Sequence, residues 1–241
     1  MLPTDASLAT LSPCHLVTCT LPTPQLEILY EDNHLLALIK PAGLATMGVA
    51  AGKTSLLTLA KKNLKSRYRK PGNVYLGVVS RIDGPVSGVV LFARTSKAAA
   101  RLSEQFRSRS VEKIYWAIVE GSVAPPSGEW IDFMLKDENQ RRMVRTHPGT
   151  TGAQEAKLTY RLIRRIADDS LVEIQPETGR KHQIRVQFSA HGNPILGDKK
   201  YGSRRTFPSG IALHARSLAF DHPISKQRME LIAPLPEAWG C

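Results

Sequence analysis

Apolar side chains in this chain come mostly in short runs bounded by Gly, Pro, Asn and Asp, and seldom at helical spacing. Leu26–Tyr30 and Leu35–Ile39 read as paired strands around the turn Glu31-Asp32-Asn33, and Val89–Ala93 as a further strand. Val111–Gly121 predicts a longer strand, with β-favouring residues throughout. Glu129–Leu135, Arg142–Thr146, Ala156–Arg164 and Leu171–Gln175 read as short strands joined by polar turns. Helical period shows in Thr54–Tyr68, with Leu56, Leu57, Ala60 and Leu64 on one side and Thr54 or Ser55 as N-cap. It returns after Ser96, with Ala99, Leu102 and Phe106. A third helix is predicted from Thr178 as N-cap to a stop at Gly192, with Ile184 and Phe188 as an apolar pair. Strands in series with few helices between them predict an α+β fold on a mixed, largely antiparallel sheet, not a doubly wound one.

The 241 residues make one large domain or two small ones and suffice for a real core. No apolar run reaches membrane-spanning length, so a soluble globular protein is expected. Lys and Arg number 33 against 21 Asp and Glu, a net charge of +12. That excess calls for a polyanionic partner, of which nucleic acid is the commonest. A membrane surface is disfavoured, because no basic helix carries a bulky apolar face. Cys14, Cys19 and Cys241 are too sparse for a disulfide framework and predict reduced thiols in the cytoplasm. Cys14-His15 with Cys19 has no matching second half, so no metal site is predicted. Residues 1–24 hold Pro3, Pro13, Pro22 and Pro24 and only Asp5 as a charge; they read as a loosely ordered tail, not a secretory signal.

Charge is unevenly spread. Lys61, Lys62, Lys65, Arg67, Arg69 and Lys70 crowd the end of the first predicted helix. A helix C-terminus favours cations, but this many exceeds that need and points to phosphate contact. Lys97, Arg101, Arg107 and Arg109 on the second helix read as a solvated face. In Val79–Gly88, Arg81 and Asp83 would project to one side of an extended chain, and Gly84-Pro85 turns it just after the acid. An Asx turn alone would account for Asp83; a carboxylate on the rim of a sheet would also suit chemistry. Arg180, Lys181, His182 and Arg185 are predicted in the first turns of the third helix, where cations are disfavoured. They ask for a buried carboxylate or a phosphate.

Ser80-Arg81-Ile82-Asp83-Gly84-Pro85-Val86-Ser87-Gly88 resembles the signature His-Arg-Leu-Asp-x-x-Thr-Ser-Gly of the RluA-type pseudouridine synthases, which isomerise uridine in RNA. Ser80 and Val86 depart from it. Further resemblances follow the family's order. Lys40-Pro41-Ala42-Gly43 is similar to its first motif, and Lys113, Tyr115, Ala117, Val119 and Gly121 to its second. Thr178-Gly179-Arg180-Lys181-His182-Gln183-Ile184-Arg185 is similar to its third, with Gln187 where a His is usual. Asn193–Gly202, Leu213–Pro223 and Ile232–Pro236 continue the pattern to the C-terminus.

The resemblance implies a pseudouridine-synthase-like α+β catalytic domain over 25–241, with flanking helices, a central basic cleft and no separate S4 domain. It implies Asp83, Tyr115 and Arg185 as catalytic residues. Asp83 would attack C1′ or abstract the 2′ hydrogen. Arg185 would aim its carboxylate. Tyr115 would stack on the base and offer its hydroxyl for proton transfer. Arg81, Arg180, Lys181, His182, Gln183 and Lys199 would contact RNA. No cofactor or metal is implied; the partner would be ribosomal or transfer RNA, and the protein a monomer with no obligate protein partner. Two rivals are a non-catalytic RNA-binding relative and a hydrolase pairing Asp83 with Asp132 or Asp221.

Overall fold

Two all-apolar runs organise the sheet because each is buried on both faces. The computed structural model describes residues 26–50 and 52–240. The predicted tail and all three cysteines lie outside them. In chain order the elements are β1 (Glu27–Glu31), β2 (Leu35–Lys40), α1 (Leu56–Arg67), β3 (Gly77–Val78), β4 (Ser87–Ala93), α2 (Ser96–Arg107) and β5 (Glu112–Val119). There follow β6 (Ser127–Asp137), β7 (Arg142–Thr146), β8 (Gln154–Ile166), β9 (Asp169–Pro176), α3 (Gln183–Ala190), β10 (Leu213–Asp221) and β11 (Arg228–Ile232).

On one face of β2 and β4, Leu36, Leu38, Val90 and Phe92 pack against Leu56, Ala60 and Leu64 of α1. On the other, Leu35, Ala37, Val89 and Leu91 meet Ala98 and Leu102 of α2. Strands covered on both sides need no polar alternation. Each fully buried Leu or Val in them contributes about 1.5–3 kcal/mol. A second apolar cluster, around Ala117, Val119, Val172, Ile174 and Phe188, joins β5 and β9 to α3.

The strand order is β1-β2-β4-β10-β5-β9-β8-β6-β7, with β11 on β10 and β3 on β4. Among the described residues only β10 and β4 pair in parallel, with His214 opposite Ser87 and Ala215 opposite Gly88. The sheet is thus mixed and largely antiparallel. Gly88 makes the parallel junction possible. Its φ is +120°, and a Cβ there would lie 2.3 Å from the Ala215 carbonyl oxygen. Ala215 in turn pairs with Tyr115 on β5. The loop ahead of β4, which carries Asp83, therefore ends two strands from Tyr115.

The third helix corrects the expectation drawn from its sequence. It starts at Gln183, not after Thr178, and its N-cap is His182 in the left-handed region (φ 56°). Thr178 is held elsewhere: its hydroxyl accepts from the Lys157 backbone N–H and donates to the Gln183 side chain. That amide also accepts from the Arg180 N–H and donates to the Lys157 carbonyl. The chain stays pinned to β8 until Gln183. Arg180, Lys181 and His182 accordingly lie in the preceding turn, and only Arg185 lies within the helix.

Candidate active site

Asp83 sits in a loop fastened at every side. The Lys40 ammonium, fully buried at the end of β2, donates to the carbonyls of Pro41 (2.9 Å), Leu44 (2.6 Å) and Gly84 (3.0 Å). The Thr46 hydroxyl donates to the Ile82 carbonyl at 2.9 Å. Ser80 accepts from the Leu91 N–H at 2.9 Å and so ties the loop to β4. The turn closes through Val86 N–H to the Asp83 carbonyl, and Ile211 N–H reaches the Pro85 carbonyl. Gly210 (φ +68°) admits that approach, since a Cβ there would meet the Pro85 oxygen at 2.3 Å. These bonds fix the backbone on which the carboxylate is carried.

Arg185 arrives from α3. Its Nη1 donates to Asp83 Oδ2 at 3.0 Å. Its Nε and Nη2 donate side-on to the two oxygens of Asp198, at 2.7 and 3.0 Å. The guanidinium lies 4.9 Å from the centre of the Tyr201 ring. Arg185 and Asp198 side chains are 6% and 2% exposed, so neither charge can be left to water, whereas Asp83 at 28% can meet a ligand. Burial opposes the Arg185 charge, but Asp198 and then Asp83 outweigh it and raise its pKa further. His182 completes the ring: Nδ1 lies 2.6 Å from the Tyr201 hydroxyl and Nε2 3.7 Å from Asp83 Oδ2. Burial lowers the His182 pKa, with Asp83 pulling the other way, which favours the neutral imidazole.

These groups open on a cleft of about 790 Å³. Arg81, Asp83, Lys113, Tyr115, Arg180, Lys181, His182, Gln183 and Arg185 all line it. Burial first, and then the Asp83 charge, push the Tyr115 hydroxyl well above its ordinary range. It stays protonated and can donate a proton but not act as a phenolate base. The same forces act on Lys40 in opposition: burial brings it down to about 8 although Asp83 raises it.

The structure brings together most residues proposed from sequence. Two have other duties. The Gln183 amide is spent on Thr178, Arg180 and Lys157 and braces the wall of the cleft. Lys199 stands exposed in a 3-10 turn (Lys199–Tyr201) and is not a lining residue. Asp198, Tyr201 and Lys40 had no role assigned from sequence. The first two lay in a run noted only for its pattern. The clearest signal for Lys40 was a lysine closing an otherwise apolar strand.

The departures from the family pattern leave the site intact. Ser80 braces β4, and Val86 is a core residue. Gln187 lies roughly 200° around the helix from Arg185 and donates to Asp132 at 3.0 Å. Asp132 also receives His191 and Arg145, and Asp221 pairs with Arg228. Neither acid lines the cleft, so neither serves as a second carboxylate for Asp83.

Comparison with known proteins agrees with this geometry. Residues 34–190 match the RNA pseudouridylate synthase family. The chain is 34% identical over 223 residues to "Ribosomal large subunit pseudouridine synthase C" of Vibrio vulnificus, covering 87% of this chain and 66% of that protein. It is 35% identical over 234 residues to "tRNA pseudouridine synthase C" of Haemophilus ducreyi, covering 89% and 93%. The solved structure of "Human RNA Pseudouridylate Synthase Domain Containing 4" superposes with a TM-score of 0.73 at 26% identity, over 87% of this chain and 88% of that one. The chain belongs to the RNA pseudouridylate synthase family. Its motifs and its likeness to ribosomal pseudouridine synthases C and D place it in the RluA-type branch. It spans a little under two thirds of the first of these relatives, 66% and 65% of the synthases from Vibrio vulnificus and Vibrio cholerae.

Proposed function

We propose that this chain isomerises uridine to pseudouridine in structured RNA, ribosomal or transfer, with Asp83 as the essential acid and with no cofactor. The observation that carries this reading is the Arg185-held carboxylate of Asp83 beside Tyr115 in one basic cleft. The reaction breaks N1–C1′, turns the base and joins C5 to C1′. The proton lost from C5 is matched by one gained at N1, so atoms and charge balance. Uracil leaves as an anion delocalised over its carbonyl oxygens. It needs no second carboxyl to protonate it, unlike the leaving oxygen of a glycoside.

Asp83 Oδ2 is engaged by Arg185, and Oδ1 accepts no hydrogen bond from the described residues, which leaves it to approach C1′ or the 2′ hydrogen. Tyr115 takes the base. Drawing a base from its stack costs a few kcal/mol, and stacking on the ring returns about 1–3 kcal/mol. Arg81, Arg180 and Lys181 meet the flanking phosphates, while His182, proposed from sequence for the same role, is turned inward to Tyr201 and Asp83.

Asp83→Asn tests this directly. It keeps size and hydrogen bonding but removes the reacting oxygen's charge. Pseudouridine formation, followed by tritium release from C5-labelled uridine in transcribed ribosomal and transfer RNA, should vanish while RNA affinity stays within about threefold. An Asn variant that still converts uridine would refute the assignment. We further propose a cytoplasmic monomer: every group named here comes from one chain. Among the described residues no helix is long and apolar enough to cross a membrane. Light scattering on the purified chain checks its mass.

A further inference from the structure

The C-terminal end of α1 carries a charge arrangement that the fold does not need. Lys65 to Asn73 is one continuous exposed stretch. Within it and just before it stand Lys61, Lys62, Lys65, Arg67, Arg69 and Lys70. The carboxylate that answers them is Glu31. It is fully engaged, by Arg67 (2.7 Å), the Tyr68 hydroxyl (2.7 Å) and Arg94 (2.9 Å). Lys61, Lys62, Lys65, Arg69 and Lys70 have no ion-pair partner among the described residues. Lys61 and Lys65 are like charges at i, i+4, which repel by a few tenths of a kcal/mol. The helix dipole offsets part of this, and only in the last turn.

The patch also holds an aromatic ring in a fixed place. Tyr68 is 47% exposed although its hydroxyl is anchored on Glu31. Arg94, Arg67 and Lys70 lie 5.2, 5.5 and 6.0 Å from its ring centre. The other end of the same helix abuts the cleft. The N–H groups of Leu56 and Leu57 donate to the carbonyls of Ala45 and Thr46, both of which line it. At 1.5 Å per residue, the patch begins at Lys61 about 8 Å from that rim and α1 ends about 18 Å from it. That is about five nucleotide steps at the 3.4 Å spacing of one duplex strand.

We propose that the C-terminal end of α1, from Lys61 to Lys70 with Tyr68 at its centre, is a second RNA-binding surface. It grips the backbone of the stem that flanks the nucleotide in the cleft. The unpaired cations meet phosphates, and the anchored Tyr68 keeps the local backbone, left-handed at Arg69 (φ 47°), in one shape. This rests on the reading that the substrate is RNA. It adds where the rest of that RNA lies. Such a surface would set which stem is chosen, whereas the cleft meets only the extruded nucleotide and the phosphates beside it.

The test uses the full chain with Lys61→Gln, Lys62→Gln, Lys65→Gln, Arg69→Gln and Lys70→Gln combined, with a thermal melt to confirm folding. Two probes are used: a uridine-centred pentanucleotide, which the cleft alone can hold, and the same loop on a stem of about ten base pairs. The hairpin should bind at least about tenfold more weakly at 0.15 M salt. The slope of log affinity against log salt should fall by up to about 4, at 0.7–0.9 for each phosphate no longer neutralised. Pentanucleotide affinity should change less than threefold. Arg164→Gln with Arg165→Gln, exposed on β8 four strands from β4 in the sheet, should leave hairpin binding unchanged.

An unchanged hairpin affinity and slope would overturn the proposal. So would the same loss per charge in the β8 control, which would reduce the effect to net charge. Equal losses on both probes, or binding to anionic vesicles as the only property the substitutions remove, would do likewise. Conversion of uridine is scored separately. A chain that grips the hairpin through α1 yet makes no pseudouridine would leave this surface standing and sink the catalytic reading.

Discussion

Replacing Arg185 by Lys keeps the positive charge and removes the geometry, so it separates orientation from electrostatics. The guanidinium makes three charge-assisted hydrogen bonds to two carboxylates: Asp198 at 2.7 and 3.0 Å and Asp83 at 3.0 Å. An ammonium is a compact charge that cannot fork between them. Asp198 is the more buried of the two and already takes two of the three bonds, so the lysine will pair there and release Asp83. A hydrogen bond to a charged group is worth about 1.5–3 kcal/mol. If that bond aims the carboxylate in the transition state, its loss slows turnover about 10- to 150-fold, at tenfold per 1.36 kcal/mol. Exchanging the side-on pair with Asp198 for a single hydrogen bond costs a similar amount of stability. A 1 kcal/mol loss lowers the melting temperature by about 2–4 °C at this size, so a fall of roughly 3–12 °C is expected. RNA affinity should hold within about threefold, because a side chain 6% exposed does not reach a phosphate. Tritium release, filter binding and a thermal melt read the three quantities. Turnover within threefold of the parent, or an affinity loss as large as the turnover loss, would refute the reasoning.

Asp198→Asn leaves the Arg185 charge with Asp83 as its sole carboxylate and turns an amide N–H toward the guanidinium; breaking such a buried pair should cost about 3–5 kcal/mol in a urea melt and depress turnover, although Asp198 does not line the cleft. Gly88→Ala forces a Cβ into the Ala215 backbone at φ +120°, so it should destabilise the chain by several kcal/mol and scatter the loop before β4, seen as lost soluble yield and a lowered melt. Lys40 gives a pH signature. Its folded pKa of about 8 lies below the value near 10.4 of a free lysine. Between those values the unfolded chain holds a proton that the folded chain has shed, so this group stabilises the fold as pH rises. Urea melts of the parent and Lys40→Met from pH 7 to 9.5 should diverge in the parent's favour above about pH 8. A constant difference would contradict the assignment.

Local pattern was enough for eight of the eleven strands and for two of the helices; β10 was reached only through resemblance, and β3 and β11 were not read. The doubly buried β2 and β4 were visible as unbroken apolar runs, and Arg142–Thr146 has the same bounds in sequence and structure. The start of α3 was not visible. Thr178 is a good N-cap by type, but its partners, Lys157 and Gln183, come from β8 and from five residues on, and tertiary bonds overrode the local preference. The approach of Arg185 to Asp83 was expected from resemblance, and the structure shows it as a hydrogen bond. The second carboxylate on Arg185 was not expected. Nothing in Asp198-Lys199-Lys200-Tyr201 distinguishes a buried ion-pair partner from a solvated acid in a basic run.

What the chain's own order of residues determined is therefore the menu: strands by apolar runs, turns by Gly and Pro, a basic surface by excess Lys and Arg, and one acid at a strand–turn junction. Tertiary structure alone decided which of those groups share a charge. Asp83 and Arg185 are 102 residues apart and meet because β4 pairs in parallel with β10, beside β5 and β9, and the turn after β9 launches α3 over that junction. A charge network depends on distances through space, falling with separation and burial, and sequence separation carries no record of either.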